Sequence, residues 1–178
     1  MPRDSTYSLP SNIVHPANRI VKLMLASELS VITAESCTAG LLAGALSNGE
    51  GASNVLQGGF ITYTKAQKAK ALGVSAALLK REGSVTARVA EQLARGALRR
   101  SNADIAIAVT GVLGPTPDED GNPVGLVYFC CVRRGGGTKT LRKQFRVRDR
   151  DRLCATTVRS ALRLLEQMVA SRGRPHRL

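Results

Sequence analysis

The sequence of 178 residues contains no tryptophan, three tyrosines, three phenylalanines and two histidines. So few aromatic side chains leave little surface on which nucleic-acid bases can stack. His15 and His176 are too few for a histidine-rich metal site, and no apolar run approaches the roughly 20 residues that a membrane-spanning helix needs. The length and the 43% of hydrophobic residues predict one folded domain with its own core.

The four cysteines, Cys37, Cys130, Cys131 and Cys154, lack the Cys-x-x-Cys spacing of zinc and redox motifs. The two adjacent cysteines would point to opposite faces of a strand. The N-terminal residues contain no apolar signal core. We therefore expect free thiols in a cytoplasmic protein, with no metal and no cofactor.

Positive charge is the strongest compositional signal, because 26 Lys and Arg face 13 Asp and Glu, a net charge of +13. Such an excess suggests a polyanionic partner. From Arg133 onward there are 14 basic residues against three acidic ones, however, so the excess is concentrated in the last quarter of the chain. We interpret it as a solvated basic surface, with a nucleic-acid partner as the weaker alternative.

Apolar patterning predicts a single domain over residues 16–170, between a polar tail at 1–15 and a basic tail at 171–178. The run 105–109 has no polar alternation, which is typical of a central strand covered on both faces. The glycines of 133–137 favour a hairpin. The predicted helices lie after Asn18, at 38–47, 65–72, 86–100 and 153–169, and the strands at 31–34, 60–63, 105–109, 124–132 and 139–147. This order predicts an α/β fold, a three-layer α/β/α sandwich with a mixed sheet.

Two loops that follow apolar strands are the candidate sites, because ligands of open α/β sheets bind beyond the carboxyl ends of strands. The first, at 35–40, reads Glu-Ser-Cys-Thr-Ala-Gly and begins a helix whose N–H groups can hold an oxyanion. The second, at 110–115, is rich in small residues. A serine nucleophile needs a base, and a desolvated lysine of lowered pKa suits that role. Spacing alone does not select which lysine.

Each candidate residue also has a structural interpretation. Ser36 and Thr38 are typical helix-capping residues, and Thr110 stands where a strand turns into a loop. Lys68 fits a solvated helix position, and Tyr63 fits a half-buried strand position. The residues alone leave these alternatives open.

Motifs along most of the chain, in one order, resemble the C-terminal domain of the CinA family. They span about residues 18 to 168 and comprise 34–40, 58–63, Lys68, 72–74, 103–106, Thr110-Gly111, Gly114-Pro115, 123–125 and Asp149-Arg150. The resemblance implies the fold predicted above, in a stand-alone form without the N-terminal domain that many members carry.

The family includes amidohydrolases that convert the carboxamide of nicotinamide mononucleotide to a carboxylate and release ammonia. The resemblance implies Ser36 as nucleophile, Lys68 as general base and Tyr63 beside them. It implies a substrate-binding set made of Glu35, Thr38, Ala39, Gly40, Thr110, Gly111, Gly114 and Arg150, with Arg150 suited to the substrate phosphate. We expect a homo-oligomer, with a dimer as the simplest assembly.

The chain departs from the family pattern near these residues. Ala39 replaces a glycine, Lys65 adds a positive charge before Lys68, and the loop 116–122 replaces a glycine-rich stretch. Arg148 and Cys154 are further departures. Altered specificity, or an inactive member that binds nucleotides or nucleic acid, therefore stays an alternative, as does Cys37 as the nucleophile.

Overall fold

The chain forms six α-helices and five β-strands in the part that the computed structural model describes, residues 9–147 and 149–171. The helices are α1 (Ser11–Ala26), α2 (Leu41–Ser47), α3 (Lys65–Leu72), α4 (Ala76–Glu82), α5 (Ala87–Arg99) and α6 (Arg150–Ala170). The strands are β1 (Val31–Glu35), β2 (Leu56–Ile61), β3 (Ile105–Gly111), β4 (Leu126–Arg133) and β5 (Thr138–Gln144).

The strands form one mixed sheet in the order β2-β1-β3-β4-β5. Strand β1 pairs in parallel with both β2 and β3, whereas β4 pairs antiparallel with β3 and β5. The predicted central strand and the predicted hairpin are both confirmed. The carboxyl ends of the three parallel strands consequently lie at one edge of the sheet.

Helices cover both faces of the sheet, and alternate residues of strand β3 pack against the helices of opposite faces. Its Ile105, Ile107 and Val109 pack with buried residues of α1, α2 and α6. Its Ala106 and Ala108 pack with buried residues of α3, α4 and α5. Adjacent cysteines of β4 likewise divide between the two cores, as their alternation requires. The predicted three-layer α/β/α sandwich is confirmed.

The first helix begins earlier than the sequence analysis predicts. Residues 11–15, assigned above to the N-terminal tail, form the first turns of α1, and Asn18 lies inside the helix and is not its cap. Pro16 also lies within α1. The predicted start of the helix was wrong because a proline and a polar Asn are typical of helix boundaries. Residues 1–8, 148 and 172–178, which include most of both predicted tails, lie outside the described part of the chain.

The other boundaries differ by a few residues, and α4 is missed altogether because its seven residues are too short to show a period. Thr86, where the predicted helix 86–100 begins, caps α5 and accepts a hydrogen bond from the Val89 N–H. Within residues 9–147 and 149–171, no helix combines the length and apolar character needed to span a bilayer.

A close contact between two helices fixes the position of α3. Gly96 of α5 faces the carbonyl oxygen of Leu72, at the end of α3, and a Cβ at position 96 would collide with that oxygen. The absent side chain therefore lets α3 approach α5 closely. Since α3 carries Lys68, this contact also helps to set the position of the candidate base.

Substituting Gly96→Ala should lower the free energy of unfolding by about 2 kcal/mol, although alanine is the better helix former by about 1 kcal/mol. Gly44→Ala is the matched control, because Gly44 is also helical and nothing lies within 4 Å of its added Cβ. It should stabilise the protein by about 0.5 kcal/mol. Denaturant unfolding measures both, and equal stability of the two variants would contradict the close approach.

Candidate active site

The candidate nucleophile lies where the parallel strands end. Ser36 directly follows β1, and its N–H donates to the carbonyl oxygen of Val109 in β3 at 3.0 Å. On the other side, the Thr62 N–H after β2 donates to the Glu35 carbonyl oxygen at 2.8 Å. Ser36 is thus held between both neighbouring strands, and only 7% of it is exposed.

The carboxylate of Glu35 is completely buried and accepts five hydrogen bonds. Two come from the hydroxyls of Thr33 and Thr38, at 3.1 and 2.7 Å. The other three come from backbone N–H groups at the start of α2, those of Gly40, Leu42 and Ala43, at 3.0, 3.1 and 2.9 Å. A side-chain carboxylate therefore satisfies the helix donors that otherwise need a ligand or water.

This arrangement corrects part of the predicted site. Glu35 does not bind substrate, because its side chain is fully buried and both of its oxygens are occupied. Three of the N–H groups at the start of the helix, those of Gly40, Leu42 and Ala43, already donate to Glu35, so they are not available to an oxyanion. The sequence could not distinguish an internal carboxylate from an external anion as the occupant of these donors.

The turn that follows Ser36 has a left-handed backbone. Ala39 has φ +49° and Gly40 has φ +97°, and the strain at Ala39 is unusual for a residue with a Cβ. A glycine at this position, as the family pattern has, would adopt the conformation without that strain. The departure at Ala39 thus affects the backbone of the turn.

Lys68 is fully buried, and its ammonium group lies against Ser36. Its Nζ is 2.9 Å from Ser36 Oγ and donates to the carbonyl oxygens of Thr62 at 2.8 Å and Tyr63 at 3.2 Å. The two carbonyls fix two N–H groups of the amine. Its remaining tetrahedral position therefore faces the serine oxygen, where a neutral amine can accept the hydroxyl proton.

Burial lowers the pKa of Lys68 to about 8, from 10.5 for a free lysine. Removal from water disfavours the charged form, and no carboxylate contacts the Nζ to compensate among the described residues. The prediction that a desolvated lysine accompanies Ser36 is therefore supported by both geometry and electrostatics. The predicted alternative of a solvated helix lysine is wrong.

A cavity of about 380 Å³ lies in front of this pair and brings together residues from distant parts of the chain. Seven of the predicted site residues line it: Ser36, Tyr63, Lys68, Thr110, Gly111, Gly114 and Arg150. The Tyr63 side chain is 64% exposed, so it lies at the mouth and is not half-buried in a strand. The Thr110 hydroxyl donates to the Ser84 carbonyl oxygen at 2.8 Å.

The remaining predicted residues, Thr38, Ala39 and Gly40, line a neighbouring cavity of about 770 Å³. Cys37 and Arg150 line both cavities. Burial, followed by the nearby Cys154, raises the pKa of the Cys37 thiol to about 12. A thiol so hard to ionise is a poor nucleophile, which disfavours Cys37 as an alternative to Ser36.

Sequence reasoning missed the cavity residues that come from loops. Ser84 and Val85, between α4 and α5, and the acidic residues 118–120, between β3 and β4, complete the wall. The only signals were the departures at Lys65 and 116–122, and these two segments contact each other through Lys65 and Asp120. Across the described residues, no group of three or more His, Cys, Asp or Glu side chains is placed to hold a metal.

Comparison with known proteins shows the family of the chain. The CinA C-terminal domain family matches residues 14–169. The chain belongs to this family. A CinA-like protein of Mycolicibacterium vanbaalenii is 46% identical over 111 residues, which cover 62% of this chain and 26% of that protein. Protein YdeJ of Escherichia coli is 43% identical over 112 residues, covering 63% and 65%.

Solved structures of the family share the fold over nearly the whole domain. The competence/damage inducible protein CihA of Agrobacterium tumefaciens has a TM-score of 0.86 at 41% identity, over 90% of this chain and 98% of that one. A CinA superfamily protein of Escherichia coli has a TM-score of 0.83 at 37% identity, over 90% and 94%. The chain spans about a third of some longer relatives, such as 36% of one from Caldicellulosiruptor saccharolyticus.

Replacing Glu35 by glutamine should destabilise the protein by about 3 kcal/mol, because the amide brings an N–H₂ against helix donors and removes the charge. Denaturant unfolding measures the change. Glu91→Gln is the control, since it breaks only the exposed pair of Glu91 with Arg95 and should cost less than about 0.5 kcal/mol. Equal costs would show that the Glu35 carboxylate does not hold the turn.

Proposed function

We propose that the protein is a serine amidohydrolase that converts the carboxamide of nicotinamide mononucleotide to a carboxylate and releases ammonia. The observation that carries the proposal is the buried Lys68 amine, held by two carbonyls at 2.9 Å from Ser36 Oγ. A nucleophile bonded to a base of lowered pKa is the arrangement that acyl transfer requires. Family membership supports the reaction class.

In the first half-reaction, Ser36 Oγ attacks the carboxamide carbon while its proton moves to the neutral Lys68 Nζ. The tetrahedral intermediate then collapses and the C–N bond breaks. Lys68 returns the proton to the departing nitrogen, which leaves as ammonia. An ester between Ser36 and the substrate acyl group remains.

In the second half-reaction, water attacks the ester carbon and gives its proton to Lys68. The ester bond breaks, Ser36 regains its proton, and the carboxylic acid product ionises. The Cys37 N–H directly follows the nucleophile, and in the described part of the chain it hydrogen-bonds only to its own thiol. We assign it as a donor to the oxyanion, in place of the helix donors that Glu35 occupies.

Arg150 supplies the proposed contact with the substrate phosphate. It lines the cavity together with Ser36, and its guanidinium suits bidentate binding of a phosphate. The net charge of +13 favours the approach of an anionic nucleotide. Cytoplasmic location and homodimer formation remain predictions.

Ser36→Ala should lower kcat/KM for ammonia release by about 10⁴-fold or more, since no other group in the cavity replaces the nucleophile. Cys37→Ala is the matched control and should retain activity within about tenfold, because its thiol stays protonated. Thermal unfolding verifies that both variants fold. Normal turnover by Ser36→Ala would contradict its role.

The same assay, with nicotinamide mononucleotide, nicotinamide riboside and nicotinamide compared, tests the substrate. Activity on the phosphorylated compound alone supports the role of Arg150. If none of the three compounds is hydrolysed and the protein binds unrelated DNA sequences in a salt-sensitive manner, the result favours the alternative of a nucleic-acid-binding protein.

The value of kcat/KM should rise about tenfold per pH unit on the acid side and level off above a pH of about 8, because only neutral Lys68 accepts the Ser36 proton.

Between about pH 8 and 10.5, the unfolded chain holds a proton on Lys68 that the folded protein has lost. The free energy of unfolding should therefore rise with pH over this interval, relative to Lys68→Met. Initial rates and denaturant unfolding measure the two effects. A flat rate profile would exclude Lys68 as the base.

A further inference from the structure

The loop between β3 and β4 forms one wall of the catalytic cavity, and its tip is a folded unit. The Asp118 carboxylate accepts the N–H groups of Asp120 at 3.1 Å and Asn122 at 2.8 Å. It also accepts the Asn122 side-chain amide at 2.9 Å. The tip thus keeps its own shape, and its position over the cavity depends on contacts with the rest of the protein.

Those contacts converge on one carboxylate. Asp120 Oδ1 accepts a hydrogen bond from Lys65 Nζ at 2.7 Å, and Asp120 Oδ2 accepts the Ser84 N–H at 3.2 Å. Gly83 leaves room for this group, because a Cβ there would collide with the carboxylate. The other acidic neighbour, Glu119, also pairs with Lys65 at 2.9 Å, but its side chain is 72% exposed.

The groups that Asp120 joins belong to the candidate site. Lys65 begins α3, one turn before Lys68. Ser84 lines the cavity, and its carbonyl accepts the Thr110 hydroxyl at the end of β3. Asp120 therefore links the loop tip to the helix that carries the base and to the segment that braces β3.

We propose that Asp120 is a positioning residue that latches the β3–β4 loop over the cavity through Lys65 and Ser84, and thereby sets the affinity for substrate. The link to substrate rests on the proposed function, whereas the latch itself does not. Hydrogen bonds to Asp120, and then to Glu119, raise the pKa of Lys65, so its ammonium group stays charged through neutral pH. The latch thus connects Lys65 with the 116–122 loop, and both are departures from the family pattern.

The test begins with Asp120→Asn, which keeps an oxygen for the Ser84 N–H and removes the charge that Lys65 needs. It should raise KM for nicotinamide mononucleotide about fivefold and leave kcat within about twofold. Lys65→Met should do the same, and the double variant should be no worse than either single one. Lys65→Arg keeps the positive charge and should therefore leave KM at the wild-type value. Glu82→Gln is the control, because its arginine partners lie outside the cavity.

Amide hydrogen exchange at Ser84 gives a readout that does not depend on catalysis. Opening of the latch should speed this exchange about fivefold in Asp120→Asn and leave it unchanged in Glu82→Gln. If the wild type hydrolyses no amide but the exchange responds, the proposed function fails and the latch stands. An unchanged exchange rate, an unchanged KM in an active enzyme, or additive effects of the two single variants would overturn the proposal.

Discussion

The buried carboxylate of Glu35 holds the turn on which the candidate site depends. Five donors surround it, three of them backbone N–H groups at the start of α2. Burying a charge is costly unless hydrogen bonds satisfy it, and here five of them do so. The next residue in the chain is Ser36, so an interaction internal to the fold fixes the nucleophile at the sheet edge before any substrate arrives.

The environment of Lys68 is the second feature on which the candidate site depends. A lysine in water is charged and points outward, whereas this one is enclosed and bonded to two carbonyls and a hydroxyl. The helix that carries it lies close to α5, where Gly96 has no side chain. A residue that does not line the cavity thus helps to position the candidate base.

Much of the fold could be predicted from the sequence, because its apolar runs follow the periods of buried strands and covered helices. The central strand 105–109 and the helix predicted at 86–100 are examples. The start of α1 could not be predicted, since Pro16 and Asn18 are typical of boundaries and only tertiary packing places them within a helix. The seven residues of α4 were too few to show a period.

The candidate site was predictable only in part. Resemblance to the family selected Ser36 and Lys68, which the structure brings together, although spacing alone chose neither. It also assigned Glu35 to substrate, because an acidic residue beside a nucleophile has the same appearance in a sequence whether it faces inward or outward. The pairing of Lys65 with Asp120 joins positions 55 residues apart, and no local pattern encodes such a contact.

Arg150 borders two spaces as well as carrying a charge. It lines both the cavity of about 380 Å³ in front of Ser36 and the neighbouring one of about 770 Å³. A substitution at this position therefore changes the walls of both volumes, and their charge, in the same step.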